Sequence, residues 1–304
     1  MRSRLFESLL GTTIGDSLGL PYEGLTPGRA KRLLRGDIRP RLWFGRSFVS
    51  DDTLQSIFVL QSLHACQGDV NKFQIELGKR LRTWFLAIPP GIGKSTILAC
   101  GKLVLGVSPS RAGVDSGGNG AAMRSAIIGH WFADDRKKRI QFTEAGANVT
   151  HTHTDAVLGA QVVSLAASLA AKGELSTLLD WVQAEFPQWP IEYARNERGP
   201  SGYVVETVNA MIDICSKSPS VIEGIHSAIL LGGDTDSVAA IVGGILGCSD
   251  TSHYQAVWSP SLSDLHHVGE GDLSRIPWWR MASWHARQLP IILAFGLRRL
   301  LPPY

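Results

Sequence analysis

Apolar residues recur at helical spacing along most of this chain, whereas the strict alternation of a half-buried strand is almost absent. This periodicity limits the fold more than any other feature, because helices place residues three and four apart on one face. The predicted helices run from about Leu5 to Ser17, Leu54 to Cys66, Val70 to Leu86, Ser95 to Leu105, Ala121 to Trp131, Arg136 to Asn148, Asp155 to Ala171, Leu175 to Phe186, Val204 to Ile214, Val221 to Leu230, Ser237 to Leu246 and His285 to Leu300. The sequence therefore predicts an all-α fold.

Glycine and proline cluster between these segments, as at Pro89-Pro90-Gly91, Ser116-Gly117-Gly118 and Gly232-Gly233, which is typical of tight helix-ending loops. No repeat or charge run marks a domain boundary. We expect a single compact multi-helix domain over residues 1–304, with the tail from about Trp258 docked on the core. The tail ends in an apolar helix closed by basic residues, and a helix lying on a membrane is the alternative for it.

Charge and cysteine content limit the function and the compartment. The chain has 30 Lys+Arg against 27 Asp+Glu and is 44% hydrophobic, which disfavours disorder and the binding of nucleic acid. Four cysteines, Cys66, Cys100, Cys215 and Cys248, lie far apart without a CxxC pair, as in proteins of reducing compartments.

Targeting and membrane signals are weak. Glu7 interrupts the basic N-terminus, and no long apolar stretch follows it, which argues against a signal peptide. The longest apolar region, Ala156 to Ala171, carries polar residues and is shorter than a bilayer span. We expect a cytoplasmic location and no stable membrane insertion.

The first acidic cluster, Ser50-Asp51-Asp52, opens the helix that begins near Leu54. Taken alone it is typical of capping, because hydroxyl and carboxylate oxygens accept from the free N–H groups at a helix start.

A second cluster, Asp234-Thr235-Asp236-Ser237, follows two glycines and precedes another apolar run. Capping needs only one acceptor, and adjacent ionised carboxylates repel each other, so the repeated arrangement favours a compensating cation. Carboxylate and hydroxyl oxygens suit a hard divalent ion such as Mg²⁺ or Mn²⁺.

The N-terminal segment adds a third element. Gly11, Gly15 and Gly19 share one helical face, which favours close helix packing. Glu23 follows Pro21 on a loop, where it either reaches a metal site or faces water.

With these segments in place, the chain resembles the ADP-ribosylglycohydrolase family from about Leu10 to Gly247. The motifs that carry the resemblance occur in family order: Gly15-Asp16-Ser17-Leu18-Gly19 with Glu23, Ser50-Asp51-Asp52-Thr53, Gly118-Asn119-Gly120-Ala121-Ala122-Met123-Arg124, Thr150-His151, and Gly232-Gly233-Asp234-Thr235-Asp236-Ser237. The resemblance implies an all-α fold with a binuclear Mg²⁺ or Mn²⁺ centre at the base of a cleft that binds ADP-ribose.

The resemblance also implies roles for individual residues. The positions that match the family's metal ligands are Ser50, Asp51, Asp52, Asp234, Asp236 and Ser237. Glu23 matches a mobile glutamate that approaches the metals, the loop Ser116, Gly117, Gly118 and Asn119 matches one that contacts ADP-ribose, and His151 matches a histidine near the ligand. Two divalent ions would neutralise the four aspartates.

The implied reaction is hydrolysis of a bond to C1 of a ribose, through a transition state with oxocarbenium character. Asp52 and Glu23 are the candidates for proton transfer. Backbone N–H groups of the glycine-rich loop would bind the diphosphate. Asn119 either positions a substrate hydroxyl or tolerates a left-handed turn.

Competing motifs are weaker. Gly91-Ile92-Gly93-Lys94-Ser95-Thr96 lacks the first glycine of a P-loop and follows a helix, so we expect it to open the next helix near the cleft. His151 and His153 have no third ligand at a supporting spacing for a transition metal, and we expect His153 to be solvated or capping. No GxSxG motif supports a serine hydrolase.

The preferred substrate is an ADP-ribosylated protein with an arginine linkage, because the two acidic motifs and the His-rich segment look most like the arginine-directed branch. O-linked ADP-ribose, on serine or small molecules, is the alternative. A non-catalytic relative that binds ADP-ribose or serves structurally is the third reading.

Overall fold

The computed structural model describes residues 2–34, 38–39, 41, 47–191, 197–217, 219–247, 257–258, 262–272 and 276–298. Fifteen α-helices lie in these residues: α1 Arg2–Gly19, α2 Pro27–Leu33, α3 Asp51–Cys66, α4 Val70–Leu86, α5 Lys94–Val104, α6 Pro109–Ala112, α7 Ala126–Trp131, α8 Arg136–Asn148, α9 Thr154–Lys172, α10 Leu178–Glu185, α11 Val204–Cys215, α12 Val221–Leu230, α13 Thr235–Leu246, α14 Leu262–Glu270 and α15 Trp278–Arg298. Two-residue strands β1, Ser47–Phe48, and β2, Val257–Trp258, pair in parallel. The predicted all-α fold is confirmed as one compact domain.

Helices α1 and α13 pack backbone to backbone, as the glycine spacing predicted. A Cβ added to Gly11 would overlap the carbonyl of Gly243, and one added to Gly15 would overlap the carbonyl of Ala239. Gly19 meets the start of α13 in the same way, at Thr235. This contact brings the polar residues of α1 beside the entrance of α13.

Helix α9 is the most apolar long helix of the described residues, and its most apolar window of 18 residues has a mean hydropathy of 1.4. It is 19 residues long, so by length and composition alone it could cross a membrane, and 67% of that window is buried inside the protein. The core helix of a domain such as this one passes the same test.

Several predicted boundaries need correction. The single helix predicted over Ala121 to Trp131 is interrupted, because the N–H of Ser125 donates to the carbonyl of Ala122 in a 3₁₀ turn before α7 begins. The helix predicted from Leu175 likewise starts as a 3₁₀ turn. Helices α2, α6 and α14 were not predicted.

The tail is docked on the core through α15, but not through all of its aromatic residues. Met281 and His285 are buried, and the Nδ1 of His285 lies 2.8 Å from the carbonyl of Ala87 after α4. Trp278 and Trp279 are exposed. The helix begins seven residues earlier than predicted, and its predicted C-terminal end, with Arg299 and the final prolines, lies outside the described residues.

The cysteine prediction agrees with the described part of the chain. Cys66, Cys100 and Cys215 are free and buried. Burial raises the pKa of the Cys100 and Cys215 thiols to about 12, which keeps them protonated. Cys248 lies outside the described residues.

Candidate functional site

The entrance of α3 is capped in a way that leaves its carboxylates available. The Ser50 hydroxyl accepts from the N–H of Asp52 at 3.1 Å. Asp16, buried on α1, accepts from the N–H of Ser50 at 2.8 Å and from the N–H and hydroxyl of Thr53 at 3.2 and 2.5 Å. Because Ser50 and Asp16 do the capping, the side chains of Asp51 and Asp52 are not needed for it.

The two acidic clusters meet in space, as the resemblance implied. The hydroxyl of Ser237, in the first turn of α13, lies 3.4 Å from Oδ2 of Asp52, which also accepts from Ser50 at 2.9 Å. Asp236 is buried in the same turn, and Asp234 sits at its N-cap position without capping it. The positive dipole ends of two helices thus face a shared group of carboxylates.

Burial and mutual repulsion raise the pKa values of these carboxylates. Burial, then repulsion by Asp16 and other neighbouring carboxylates, raises the pKa of Asp51 to about 7. The same causes raise the pKa of Asp52 and Asp236 well above the ordinary value. Burial raises the pKa of Asp16 to about 6 against the opposing effect of its hydrogen bonds. A bound cation would reverse these shifts.

The donor set fits a hard divalent cation in its chemistry. Oδ1 of Asp52 and Oδ1 of Asp236 are buried and have no hydrogen-bond partner among the described residues. Unpaired buried acceptors of this kind are costly, and a cation would satisfy both. The side chains do not converge as closely as metal ligands do, since no three His, Cys, Asp or Glu side chains of the described residues are spaced as a metal site.

Two cavities adjoin the carboxylates. The polar cavity, about 310 Å³, reaches from Asp52, Asp234 and Ser237 to the loop before α5. The apolar cavity, about 190 Å³, lies between the entrance of α3 and helix α15. The two cavities share Glu23, Asp51, Asp236 and Gly91 in their walls. Glu23, which is exposed, therefore lies at their junction.

The start of α5 forms the far wall of the polar cavity. Gly93 is its N-cap and makes no side-chain cap bond. Gly93, Lys94, Ser95 and Thr96 line the cavity, so the glycine-rich segment opens a helix at the cleft, as expected, rather than forming a P-loop. The hydroxyls of Ser95 and Ser116 are 2.6 Å apart. A helix start with free N–H groups and a lysine is suited to an anion.

Only part of the loop matched to ADP-ribose contact faces the polar cavity. Gly118 and Asn119 line it, whereas Ser116 and Gly117 do not. The N–H groups of Gly118 and Asn119 already donate within the protein, to the Ser116 hydroxyl at 3.3 Å and the Gly202 carbonyl at 2.9 Å. In this arrangement those two groups are not available to a diphosphate.

The interpretation that Asn119 adopts a left-handed backbone conformation is wrong, since its φ is not positive. Its side chain instead donates to Oδ2 of Asp234 at 2.6 Å and to the hydroxyl of Thr207 at 3.0 Å. Asn119 therefore holds Asp234 in place at the edge of the cavity.

The two histidines have different environments, and the expected capping role of His153 is confirmed. His151 is buried in the polar cavity wall, and burial with the nearby Arg124 guanidinium lowers its pKa to about 3, so the ring is neutral. Its Nδ1 lies 2.8 Å from the Thr150 hydroxyl. His153 caps α9 by accepting from the N–H of Asp155 at 3.2 Å.

Arg124 connects the two sides of the site, a role that sequence reasoning missed. Its buried guanidinium donates to Oε1 of Gln55 at 2.5 Å and to the hydroxyl of Thr150 at 2.6 Å. Gln55 donates in turn to Oδ2 of Asp51 at 2.9 Å, and Thr150 contacts His151. Arg124 is the last residue of the GNGAAMR motif that carries the family resemblance, and this position is the sequence feature that could have indicated its role.

Comparisons with known proteins identify the family of the chain. Residues 1–270 match the family described as ADP-ribosylglycohydrolase. The chain is 30% identical over 300 residues to an uncharacterised protein of Archaeoglobus fulgidus, covering 89% of this chain and 95% of that protein. It is 32% identical over 191 residues to ADP-ribosylhydrolase ARH3 of Gallus gallus, covering 55% of this chain and 50% of that protein.

A solved structure described as an ADP-ribosylglycohydrolase-related protein complex has the same fold. The TM-score is 0.68 at 22% identity, over 92% of this chain and 98% of that one. With the family match covering most of its length, the chain belongs to the ADP-ribosylglycohydrolases, hydrolases that act on glycosidic bonds.

Proposed function

We propose that this protein is a metal-dependent hydrolase that releases ADP-ribose from modified protein side chains, with arginine as the preferred linkage. The observation that carries the metal dependence is the pair of unpaired buried oxygens, on Asp52 and Asp236, at two helix entrances that meet beside the polar cavity. The arginine preference is supported by the likeness of the acidic motifs and the His-rich segment to the arginine-directed branch.

The polar cavity suits ADP-ribose. The start of α5 and Lys94 suit its diphosphate, because free helix N–H groups and an ammonium both favour anions. The carboxylate side of the cavity would then face the distal ribose. Neutral His151 also lines this cavity and offers an uncharged hydrogen-bonding group.

Ser50, Asp51, Asp52, Asp234, Asp236 and Ser237 would hold two Mg²⁺ or Mn²⁺ ions. The ions would bind the ribose hydroxyls and make a bound water more acidic. Asn119 and Gln55 keep two of the carboxylates oriented through hydrogen bonds of 2.6 and 2.9 Å.

Hydrolysis adds water at C1, and the C1–N bond breaks with its electron pair leaving on nitrogen. The water's proton needs an acceptor, and the leaving nitrogen gains a proton. Glu23 is the first candidate for proton transfer, and its exposed position at the junction of the two cavities supports this role. Asp52 is the second candidate, but it is buried and already accepts from two serine hydroxyls.

The experiment measures ADP-ribose release from arginine-linked and serine-linked peptides with a chelator, with Mg²⁺ and with Mn²⁺. We expect release only with metal, faster from the arginine linkage, and none from Asp51→Asn or Asp234→Asn. Asp69→Asn is the matched control, because Asp69 caps α4 and lines neither cavity. Full activity of the chelated protein, or of the two site variants, would overturn the proposal.

A further inference from the structure

The apolar cavity adjoins the carboxylates, but the start of α5 is not among its lining residues. One wall comes from the entrance of α3, with Phe48 and Leu54, and another comes from α4 and the Pro89-Pro90 turn. The remaining wall is α15, which lies after residue 270, where the family match ends. This wall is therefore not part of the matched family sequence.

Three residues that line the apolar cavity hold a buried nitrogen without a hydrogen-bond partner among the described residues. They are Nε2 of His285, Nε2 of Gln288 and Nε1 of Trp84. All three side chains are at least 97% buried. Buried polar groups are nearly always paired, so these three unpaired nitrogens in one cavity favour the binding of a polar group there.

The tautomer of His285 decides whether its Nε2 is a hydrogen-bond donor or acceptor. Its Nδ1 lies 2.8 Å from the carbonyl oxygen of Ala87, which can only accept, so Nδ1 carries the proton. Burial lowers the pKa of His285, which keeps the ring neutral. Its Nε2 is then an acceptor. The Gln288 amide presents a second acceptor when it turns its oxygen to the cavity.

We propose that the apolar cavity is the leaving-group subsite of the enzyme and that it binds the side chain of an ADP-ribosylated arginine. This inference rests on the proposed function, because it places C1 of the ribose at the carboxylates that the two cavities share. The group attached to C1 then enters the apolar cavity while ADP-ribose occupies the polar one.

The walls match an arginine side chain in shape and chemistry. Trp84 and Phe48 offer aromatic surface for a planar guanidinium and for its apolar stem. His285 and Gln288 offer acceptors to its N–H groups, and Glu23 at the mouth favours its charge. The indole N–H of Trp84 is a donor. The only acceptor that an arginine residue could offer to it is its peptide carbonyl. A serine side chain is much shorter than an arginine side chain, so we expect a serine linkage to make fewer contacts with α15.

A pair of neighbouring residues on α15 tests the subsite. Ile292 lines the cavity and is half-buried, whereas Leu293 is 58% exposed and lines neither cavity. We expect Ile292→Trp to fill the cavity and lower kcat/KM for the arginine-linked peptide by at least about tenfold. Leu293→Trp should stay near the wild-type value. The Kd of free ADP-ribose, measured by calorimetry with Mn²⁺ present, should be the same in both.

A second variant removes the Gln288 amide, whose Nε2 has no hydrogen-bond partner among the described residues. Because this nitrogen is buried and unpaired within the described part of the chain, Gln288→Met should leave the melting temperature unchanged or raise it. If Gln288 binds the guanidinium, the same variant should lower kcat/KM for the arginine-linked peptide by about tenfold and spare the serine-linked one. A purely structural residue would not show that split.

The outcomes separate this inference from the proposed function. If the wild type releases ADP-ribose from neither linkage, the proposed function fails. If it releases ADP-ribose but the Ile292 and Leu293 variants behave alike, or Gln288→Met changes both linkages equally, the subsite inference is wrong while the hydrolase assignment stands. A wild type that cleaves only the serine linkage also overturns the subsite.

Discussion

At the scale of single residues, Asp16 fixes the first acidic cluster although no sequence motif assigned it that role. It binds the N–H of Ser50 and both donors of Thr53 across more than thirty residues of chain. Capping by a residue of the same turn is visible in a sequence. Capping by a residue of another helix depends on how the two helices pack, so it is not.

Replacing Asp16 by Ala should leave the two buried donors of Thr53 and the half-buried N–H of Ser50 unpaired. We expect a loss of about 2 kcal/mol in the free energy of unfolding. Hydrolysis should also fall, because Asp51 and Asp52 lose their position. Asp69→Ala removes an ordinary cap bond, 2.9 Å from the N–H of Lys72, and should cost about 1 kcal/mol without changing activity. Urea unfolding and ADP-ribose release measure both, and equal activity of the two variants would contradict the role of Asp16.

Arg124 should not tolerate lysine. The guanidinium donates to Gln55, Thr150 and two backbone carbonyls, whereas an ammonium group cannot reproduce that fork. We expect Arg124→Lys to destabilise the fold by about 2–4 kcal/mol and to lower kcat. Thermal unfolding and steady-state kinetics test this, and wild-type values in both would show that the network is dispensable.

The site could be predicted where the residues that form it are local in sequence. Asp51, Asp52, Asp234 and Asp236 stand out because each pair opens a helix. The role of Asn119 was predicted from its own loop, but its side chain donates a hydrogen bond to Asp234, which lies 115 positions away in the sequence. The apolar cavity could not be predicted, because its wall on α15 carries no motif.

At the scale of elements, boundaries were predicted correctly where the capping signals are local. Helices α4, α8 and α12 begin where expected, after Asp69, Asp135 and Ser220, whose side chains accept from N–H groups three residues on. The break before α7 was missed, because a 3₁₀ turn leaves the hydrophobic pattern almost unchanged.

The contact between α1 and α13 gives a prediction at this scale. Gly15→Ala should push the helices apart, since its Cβ would overlap the Ala239 carbonyl. We expect a loss of more than about 2 kcal/mol in stability and reduced activity, because both helices carry site residues. Gly101→Ala is the control, as nothing lies within 4 Å of a Cβ at that helical position, and it should stabilise by up to about 1 kcal/mol. A stable, active Gly15→Ala protein would contradict the packing argument.

At the scale of the whole molecule, stability should depend on pH and metal together. Because the folded pKa values of Asp16 and Asp51 are raised to about 6 and about 7, the metal-free fold binds more protons than the unfolded chain above about pH 4. These groups therefore destabilise the metal-free protein as pH rises towards 7. Buried His130, whose pKa is lowered to about 4, acts in the opposite direction whether or not metal is present.

The rise in melting temperature caused by Mg²⁺ isolates the carboxylates, since His130 contributes equally with and without metal. We expect this rise to grow between pH 5 and pH 7.5, because protons compete with the cation at the lower pH. Calorimetry with Mg²⁺ and with a chelator measures it, and Asp51→Asn should reduce it. A metal effect that is constant with pH would mean that the raised carboxylates do not bind the ion.

We propose that two helix entrances form one metal site beside the cavity for ADP-ribose. Anomalous diffraction from crystals soaked with Mn²⁺ and ADP-ribose at pH 7.5 tests this most directly. We expect two manganese peaks among the carboxylates of Asp51, Asp52, Asp234 and Asp236. Absence of both peaks at this position, or manganese bound only elsewhere, would contradict it.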